Sequence, residues 1–278
     1  MITENKMKIV VVSTGRARCT LLAKYLHISH DNLEYCGEFY NSKQKNLEKL
    51  EKLEKFEVTP AKIGGRFLTV PDSLKIDLVE STNALFDKEN FLVKLMALSL
   101  DFDKNQDPSV FRLAEYDQIH FIERHDFFEQ CCSWEVSRKE QIFHLTNDPK
   151  REKEFNNIRK RKYKLSASQI NHAANFVDLY LKLKKYAVDN HIPHTVHTFE
   201  SAKQFDKTQN ELVDSNLNYS ELISNYHLKE EVNKLFNKYF SYDDMTSDPE
   251  AFNTAISKVE GLRSLQSFAD KMAAKWNK

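Results

Sequence analysis

The sequence predicts a three-layer α/β fold, a mainly parallel central sheet flanked by helices. Three observations carry that expectation. Apolar runs of strand length recur along the chain, amphipathic stretches of helix length separate them, and the two kinds alternate in order. A parallel sheet covered on both faces needs strands that are apolar throughout. The first run, KIVVVS over residues 8–13, is of that kind.

Each element follows from local chemistry. Residues 20–28 carry Leu21, Leu22, Tyr25, Leu26 and Ile28 close to helical spacing. NLEYCGEFYN (32–41) reads as loop or short strand. The stretch 41–57 reads as an exposed helix or flap. Its Leu47, Leu50, Leu53 and Phe56 step by three residues, which drifts around a helix and makes no coiled-coil seam. Gly64-Gly65 marks a turn, and FLVKLMA (91–97) supplies a second buried strand. Pro108 opens a short helix near 109–116, and QIHFIER (118–124) is a third strand. Asp126 is placed to cap a helix running to about residue 141. A basic patch, RKRKYKL (159–165), precedes a long helix capped by Ser166 or Ser168 and reaching about residue 190. HTVHTFE (194–200) is the fourth strand, and two helices near 229–240 and 249–276 follow. No linker-like stretch interrupts the chain. A single domain over 1–278 is therefore expected, with a helical C-terminal part from about 205.

Composition narrows the function. Lys+Arg and Asp+Glu each total 41 of 278 residues, so the formal net charge is zero. A nucleic-acid or polyanion coat is disfavoured, and any anion site must be local. Hydrophobic residues at 41% with 29% charged residues suit a soluble, folded chain. Cys19, Cys36, Cys131 and Cys132 show no metal-ligand spacing and read as free thiols of a reducing compartment. The N-terminus lacks an apolar leader, so the expected location is cytoplasmic. No run approaches the ~18 apolar residues of a membrane span, and no evident acidic cluster calls for a metal.

Past the first strand the chain turns abruptly polar, through Ser13, Thr14, Gly15, Arg16, Ala17, Arg18, Cys19 and Thr20. Ligands of open parallel sheets sit beyond the strands' C-terminal ends. There the first N–H groups of the following helix, and its dipole, would face an anion. Arg16 and Arg18 would add charge-assisted bonds, and Thr20 its hydroxyl. A plain strand-to-helix turn with two solvent-exposed arginines is the alternative. The chain has only 5 glycines, so Gly15 at this tip is informative. The phosphate-loop pattern G-x-x-x-x-G-K-S/T is absent and no Walker-B aspartate is evident, which counts against a nucleotide kinase or NTPase.

STGRARCTLL resembles the 5′-phosphosulfate loop of sulfotransferases, as in the bacterial trehalose-type group, which reads roughly S-T-P/G-R-S-G-S/T-T-L-L. Ser13, Thr14, Arg16, Thr20, Leu21 and Leu22 match, and Gly15 takes a variant the pattern admits. Ala17, Arg18 and Cys19 depart from it. Arg18 replaces a glycine, where it is either strained or obstructive, or supplies a second cation. A second motif of that family, roughly L-x-R-R-D-x-x-x-Q-A-V-S, resembles FIERHDFFEQCCSW, with Arg124, Asp126, Gln130 and Ser133 in register. His125 stands for its second arginine, and Cys131-Cys132 for small residues. The likeness continues at fold level over 163–200, ending in Thr198-Phe199-Glu200-Ser201.

The resemblance implies a phosphate-loop-like fold and a sulfotransferase using 3′-phosphoadenosine-5′-phosphosulfate (PAPS) as co-substrate, without a metal. The acceptor would be a hydroxyl or amine of a small molecule or carbohydrate. Residues Ser13 to Thr20 would hold the phosphosulfate. Arg124, or His125 when protonated, would hold the 3′-phosphate together with Ser133. Arg16 would stabilise the transferring sulfonate, and Glu38 of the CGEF segment would be the base by carry-over. The alternative is a degenerate module of the same fold that binds nucleotide or a partner without turnover. Four further readings are modest. Lys94 is expected at a sheet edge rather than in the site, and His120 as a satisfied sheet-face histidine. Residues 159–164 are either a solvated helix start or a contact for the donor or an anionic acceptor. Gly261-Leu262-Arg263 echoes a glycine-and-basic 3′-phosphate loop. Oligomeric state is not specified.

Overall fold

The computed structural model describes residues 6–30, 32–37, 78–97, 107–140, 156–202 and 217–262. Glu38, the 41–57 stretch, Gly64-Gly65, Arg263 and the expected extension of the last helix towards 276 lie outside the described residues.

The fold is α/β. Its central sheet has five parallel strands, β1 Lys8–Ser13, β2 Glu34–Tyr35, β3 Phe91–Met96, β4 Gln118–Glu123 and β5 Thr195–Thr198, in the order β2-β3-β1-β4-β5. β1 lies in the middle, with Val10 beside both Val93 and Ile119. Ile9, Val10, Val11 and Val12 are wholly buried, as the unbroken apolar run requires. Their stiff, mostly β-branched side chains fit a pleated surface covered on both sides. Alternation then sorts the strands into two faces. Val10, Val12, Val93, Leu95 and Phe121 join one core with the later helices; Ile9, Val11, Leu92, Met96 and Ile122 join another with the first helix.

Among the described residues, the helices longer than one turn are α1 Cys19–Ser29, α2 Leu78–Phe86, α3 Phe127–Glu140, α4 Ala167–Asp189, α5 Lys229–Tyr239 and α6 Pro249–Ile256, and a single helical turn spans Tyr219–Leu222. α1 covers one face with Leu21, Leu22, Ala23 and Leu26. α4 starts at Ser166 rather than Ser168, because Ser166 forms a reciprocal box with Gln169 (N–H to Oε1 2.7 Å, Gln169 N–H to Oγ 3.4 Å). Asp126 caps α3 by accepting from the Glu129 N–H (3.2 Å). The short helix expected after Pro108 is instead two 3₁₀ turns, Pro108–Phe111 and Leu113–Glu115, parted by Arg112 in the left-handed region (φ 50°). Among the described residues, no helix is long and apolar enough to cross a membrane.

The C-terminal helices share the core of α3 and α4. Phe236 of α5 stacks between Phe127 (4.0 Å) and Phe240 (4.8 Å). α5 also fixes the start of α3. Lys229 pairs with Asp126 (2.7 Å), the Asn233 amide donates to Asp126 (3.1 Å), and the Phe128 N–H donates back to Asn233 (2.8 Å). Burial pushes the Asp126 carboxyl up, but the bonds from Lys229 and Asn233 outweigh it and hold the group below the usual carboxylate range. Three bonds to α5 thereby tie down the start of α3, within the second sequence motif.

Candidate anion-binding site

The chain leaves β1 for strands on one side and later returns to build β4 and β5 on the other. The loop 14–18 lies past the C-terminal end of β1, at that reversal, where open parallel sheets place their ligands. Three of its residues have positive φ: Gly15 (86°), Arg16 (54°) and Arg18 (64°). A Cβ on Gly15 would lie 2.9 Å from Trp134 Cζ2 and 3.0 Å from Met96 Cε, so only glycine fits. The family pattern also admits proline at this place, but the fixed negative φ of proline excludes it here. Arg18 immediately precedes α1 in the left-handed region (φ 64°, ψ 21°) without a side-chain cap. The backbone shape that a glycine would favour thus persists under an arginine, at a cost of about 1–2 kcal/mol.

Left-handed residues next to right-handed ones, as Arg16 and Arg18 stand on either side of Ala17, can turn successive N–H groups to one side in the manner of an anion-binding nest. Among the described residues, the N–H groups of Ala17, Cys19 and Thr20 donate to no acceptor. Those of Cys19 and Thr20 stand at the positive end of α1.

α3 holds this loop. Gln130 and Ser133 are three residues apart and so share a helix face. The Gln130 amide donates to Thr14 Oγ1 (2.5 Å) and to the Gly15 carbonyl (2.8 Å). Ser13 Oγ accepts from the Gly15 N–H (3.0 Å). Ser13 and Thr14 are wholly buried and shape the loop; Ala17 and Cys19 are buried beneath it, with Cys19 Sγ 3.9 Å from Met96 Sδ. Arg16 Nε donates to Ser133 Oγ (2.8 Å), and the Tyr219 hydroxyl bonds the same side chain. Burial lowers the Arg16 pKa; Tyr219 opposes that shift, and the Arg124 charge adds to it.

Arg124 completes the constellation. It lies 108 positions from Arg16 yet donates from Nη1 to the Arg16 carbonyl (3.0 Å). It is only 7% exposed, its Nε has no partner among the described residues, and its guanidinium lies 4.1 Å from the centre of the Phe199 ring. The flanking carboxylates are engaged elsewhere, Glu123 by Lys184 (2.8 Å) and Asp126 by Lys229 (2.7 Å). A buried guanidinium without a counter-charge is costly to hold. His125 does not share this position. Its half-exposed ring lies against Tyr242 (5.2 Å) and 3.4 Å from Glu123, so Arg124 is the one that reaches the loop.

Lys94 overturns the sheet-edge expectation. β3 lies inside the sheet, Lys94 is 4% exposed, and its Nζ donates to Thr20 Oγ1 (2.9 Å) at the start of α1. Thr20 Oγ1 accepts there, which leaves its O–H to donate outward. The structure therefore brings together the segment from Ser13 to Thr20, Arg124 and Ser133, while Glu38 is outside the described residues. Sequence reasoning missed Phe199 and Tyr219 as neighbours of these arginines, and no local signal marks either. Lys94 had a signal: a lysine inside a strand buried on both faces must end at a polar group.

The remaining candidates are bland. His120 is a sheet-face histidine bonded to His197 (3.0 Å) and Gln118 (3.2 Å). Arg159, Lys160, Arg161, Lys162 and Lys164 are exposed, with Arg161 paired to Glu140. Gly261 has φ 87° beside the buried Leu262. Among the described residues, no group of three or more His, Cys, Asp or Glu could hold a metal ion. Neither the family models nor the curated proteins include a match to this chain.

Proposed function

We propose that the chain is a PAPS-dependent sulfotransferase of phosphate-loop-like fold, acting on a hydroxyl or amine of a small-molecule or carbohydrate acceptor. The observation that carries this reading is Arg124. It is a buried cation with an unpartnered Nε and no carboxylate partner among the described residues, bonded to a loop whose N–H groups at Ala17, Cys19 and Thr20 lack acceptors. Two anion-seeking features side by side suit a ligand with two anionic ends. The loop would take the 5′-phosphosulfate, and Arg124 with Ser133 the 3′-phosphate. A single cytoplasmic domain belongs to the same reading.

When bound, PAPS supplies an activated sulfonate whose sulfur–oxygen bond to the 5′-phosphate breaks as the acceptor oxygen or nitrogen bonds to sulfur. The protein's part is placement and charge. Arg16 and the first N–H groups of α1 would meet the negative charge that grows on the 5′-phosphate. Lys94, held by Thr20, would bring a further cation to the same end. Glu38, carried over from the resemblance, would accept the acceptor's proton. Removing one such donor typically lowers turnover about 10²–10³-fold.

A second reading is a module of this fold that binds without turnover. It draws on Arg16 Nε being engaged by Ser133 and on the strained Arg18 where the pattern has glycine. Titration with 3′-phosphoadenosine 5′-phosphate against ADP and ATP tests both readings. Clear preference for the bisphosphate, lost in Arg124→Ala, supports them; equal binding of all three ligands refutes them. Turnover of labelled PAPS on a mixed acceptor panel then separates enzyme from module.

A further inference from the structure

We infer that the Tyr219 hydroxyl is a further ligand-binding group, which donates to the anionic 5′ end of the ligand held by the loop 13–20. This deepens the proposed function and rests on its reading of the loop as an anion site. Tyr219 opens the helical turn Tyr219–Leu222, and that turn is fixed in place. Asn218 Oδ1 caps its start by accepting from the Ser220 N–H (3.2 Å). The Leu222 carbonyl accepts from the Tyr163 N–H (2.8 Å), and the Tyr163 carbonyl accepts from the Ser224 N–H (2.7 Å). The buried Asn225 amide bonds both the N–H (3.0 Å) and the carbonyl (2.9 Å) of Leu165. Leu165 leads straight into the cap of α4, so Tyr219 is presented to Arg16 from a rigid base.

The role of the hydroxyl follows from which partner can donate. A guanidinium carries N–H donors and no acceptor, so the Tyr219 oxygen accepts in its bond with Arg16, and its own O–H must point elsewhere. The same constraint acts on two neighbours. Ser133 Oγ accepts from Arg16 Nε (2.8 Å), and Thr20 Oγ1 accepts from Lys94 Nζ (2.9 Å). Among the described residues, none of these three O–H groups meets an acceptor. Two cations thus leave three hydroxyls as donors around one loop, a set that suits a ligand rich in acceptor oxygens. The donors divide between the two ends of the ligand. Ser133 stands with Arg124 for the 3′-phosphate, whereas Thr20 at the start of α1 and Tyr219 on the loop's own Arg16 serve the 5′ end. A neutral hydroxyl adds a donor there without adding to the positive charge already gathered at Arg16 and Arg124.

The test is calorimetric titration of the full chain and its Tyr219→Phe variant with 3′-phosphoadenosine 5′-phosphate and with adenosine 5′-phosphate, which share the 5′-phosphate. The variant keeps the ring and removes only the hydroxyl. Its Kd should rise about tenfold for both nucleotides, the loss of one bond to a charged group, so the preference for the bisphosphate stays as in wild type. In wild-type protein labelled at tyrosine Cζ, the Tyr219 resonance should move during both titrations and saturate with the calorimetric Kd. It is assigned by its absence from Tyr219→Phe, or from Tyr219→His should the first variant unfold. An unchanged Kd in Tyr219→Phe, a loss confined to the bisphosphate, or a stationary Tyr219 resonance overturns the inference, as does failure of the wild type to bind either nucleotide. Equal binding of the two nucleotides by the wild type, with both weakened in Tyr219→Phe, would sink the sulfotransferase reading and leave the role of Tyr219 standing.

Discussion

Replacing Arg124 by methionine keeps the aliphatic stem and removes the charge, and the structure sets what should follow. In the ligand-free protein Arg124 gains one charge-assisted bond to the Arg16 carbonyl, of about 1.5–3 kcal/mol. It also gains its contact with Phe199, of about 1–2 kcal/mol. Against these stand the buried, unpartnered Nε, at about 1–3 kcal/mol, and repulsion from the neighbouring Arg18, about 2 kcal/mol at an effective dielectric near 20 and about 8 Å, the greatest separation that their shared ring allows. The terms offset, so urea denaturation of ligand-free Arg124→Met should agree with wild type to within about 1 kcal/mol. The ligand should separate them. At 100 times its Kd, 3′-phosphoadenosine 5′-phosphate should stabilise the wild type by about 2.7 kcal/mol, a rise in Tm of about 5–10 °C for a chain of this size, and should not measurably stabilise the variant. A loss above about 3 kcal/mol in the ligand-free variant would mark Arg124 as half of a structural pair. That outcome, or an undiminished ligand shift in the variant, would refute the reasoning.

Gly15→Ala should lose about 2–4 kcal/mol by urea denaturation, because a positive φ of 86° and contacts of 2.9 and 3.0 Å at the new Cβ act together; a loss under about 1 kcal/mol would contradict the tight approach of Trp134. Arg18→Gly should relieve about 1 kcal/mol of backbone strain and lose a stacking contact of similar size, leaving Tm nearly unchanged while calorimetry shows about tenfold weaker bisphosphate binding. Burial, with the nearby His197 and His30, lowers the His120 pKa to about 4, so folding favours its neutral form. Stability should therefore be full above the unfolded value of about 6.5 and decline as pH falls towards 4, by about 2 kcal/mol after allowance for solvent exposure, and His120→Gln should flatten that decline.

Much of the fold could be read from the chain because its signals were local. KIVVVS, FLVKLMA and QIHFIER gave β1, β3 and β4, and Ser166 with Gln169 and Asp126 with its helix gave two helix starts. The loop or short strand read over 32–41 contains the two-residue β2, Glu34–Tyr35. The order β2-β3-β1-β4-β5 was not legible, since parallel strands pair through long crossovers that leave no short-range mark. The loop was legible as an anion candidate from residue types alone, and Arg18 was singled out as the misfit that its φ of 64° shows it to be. The placement of Lys94 was missed because a strand buried on both faces has no period-two pattern to say which way a side chain turns. Phe199 and Tyr219 reach the arginines from distant parts of the chain, and nothing in their neighbours' sequence announces it.

Calorimetric titration of the wild-type chain with 3′-phosphoadenosine 5′-phosphate and with adenosine 5′-phosphate, at one stated salt concentration, measures the contribution of the 3′-phosphate alone. Arg124→Met, run alongside, assigns that contribution to a residue. A preference of at least tenfold for the bisphosphate, about 1.4 kcal/mol, that disappears in the variant is the expected result; equal affinity for the two nucleotides in the wild-type protein would contradict it.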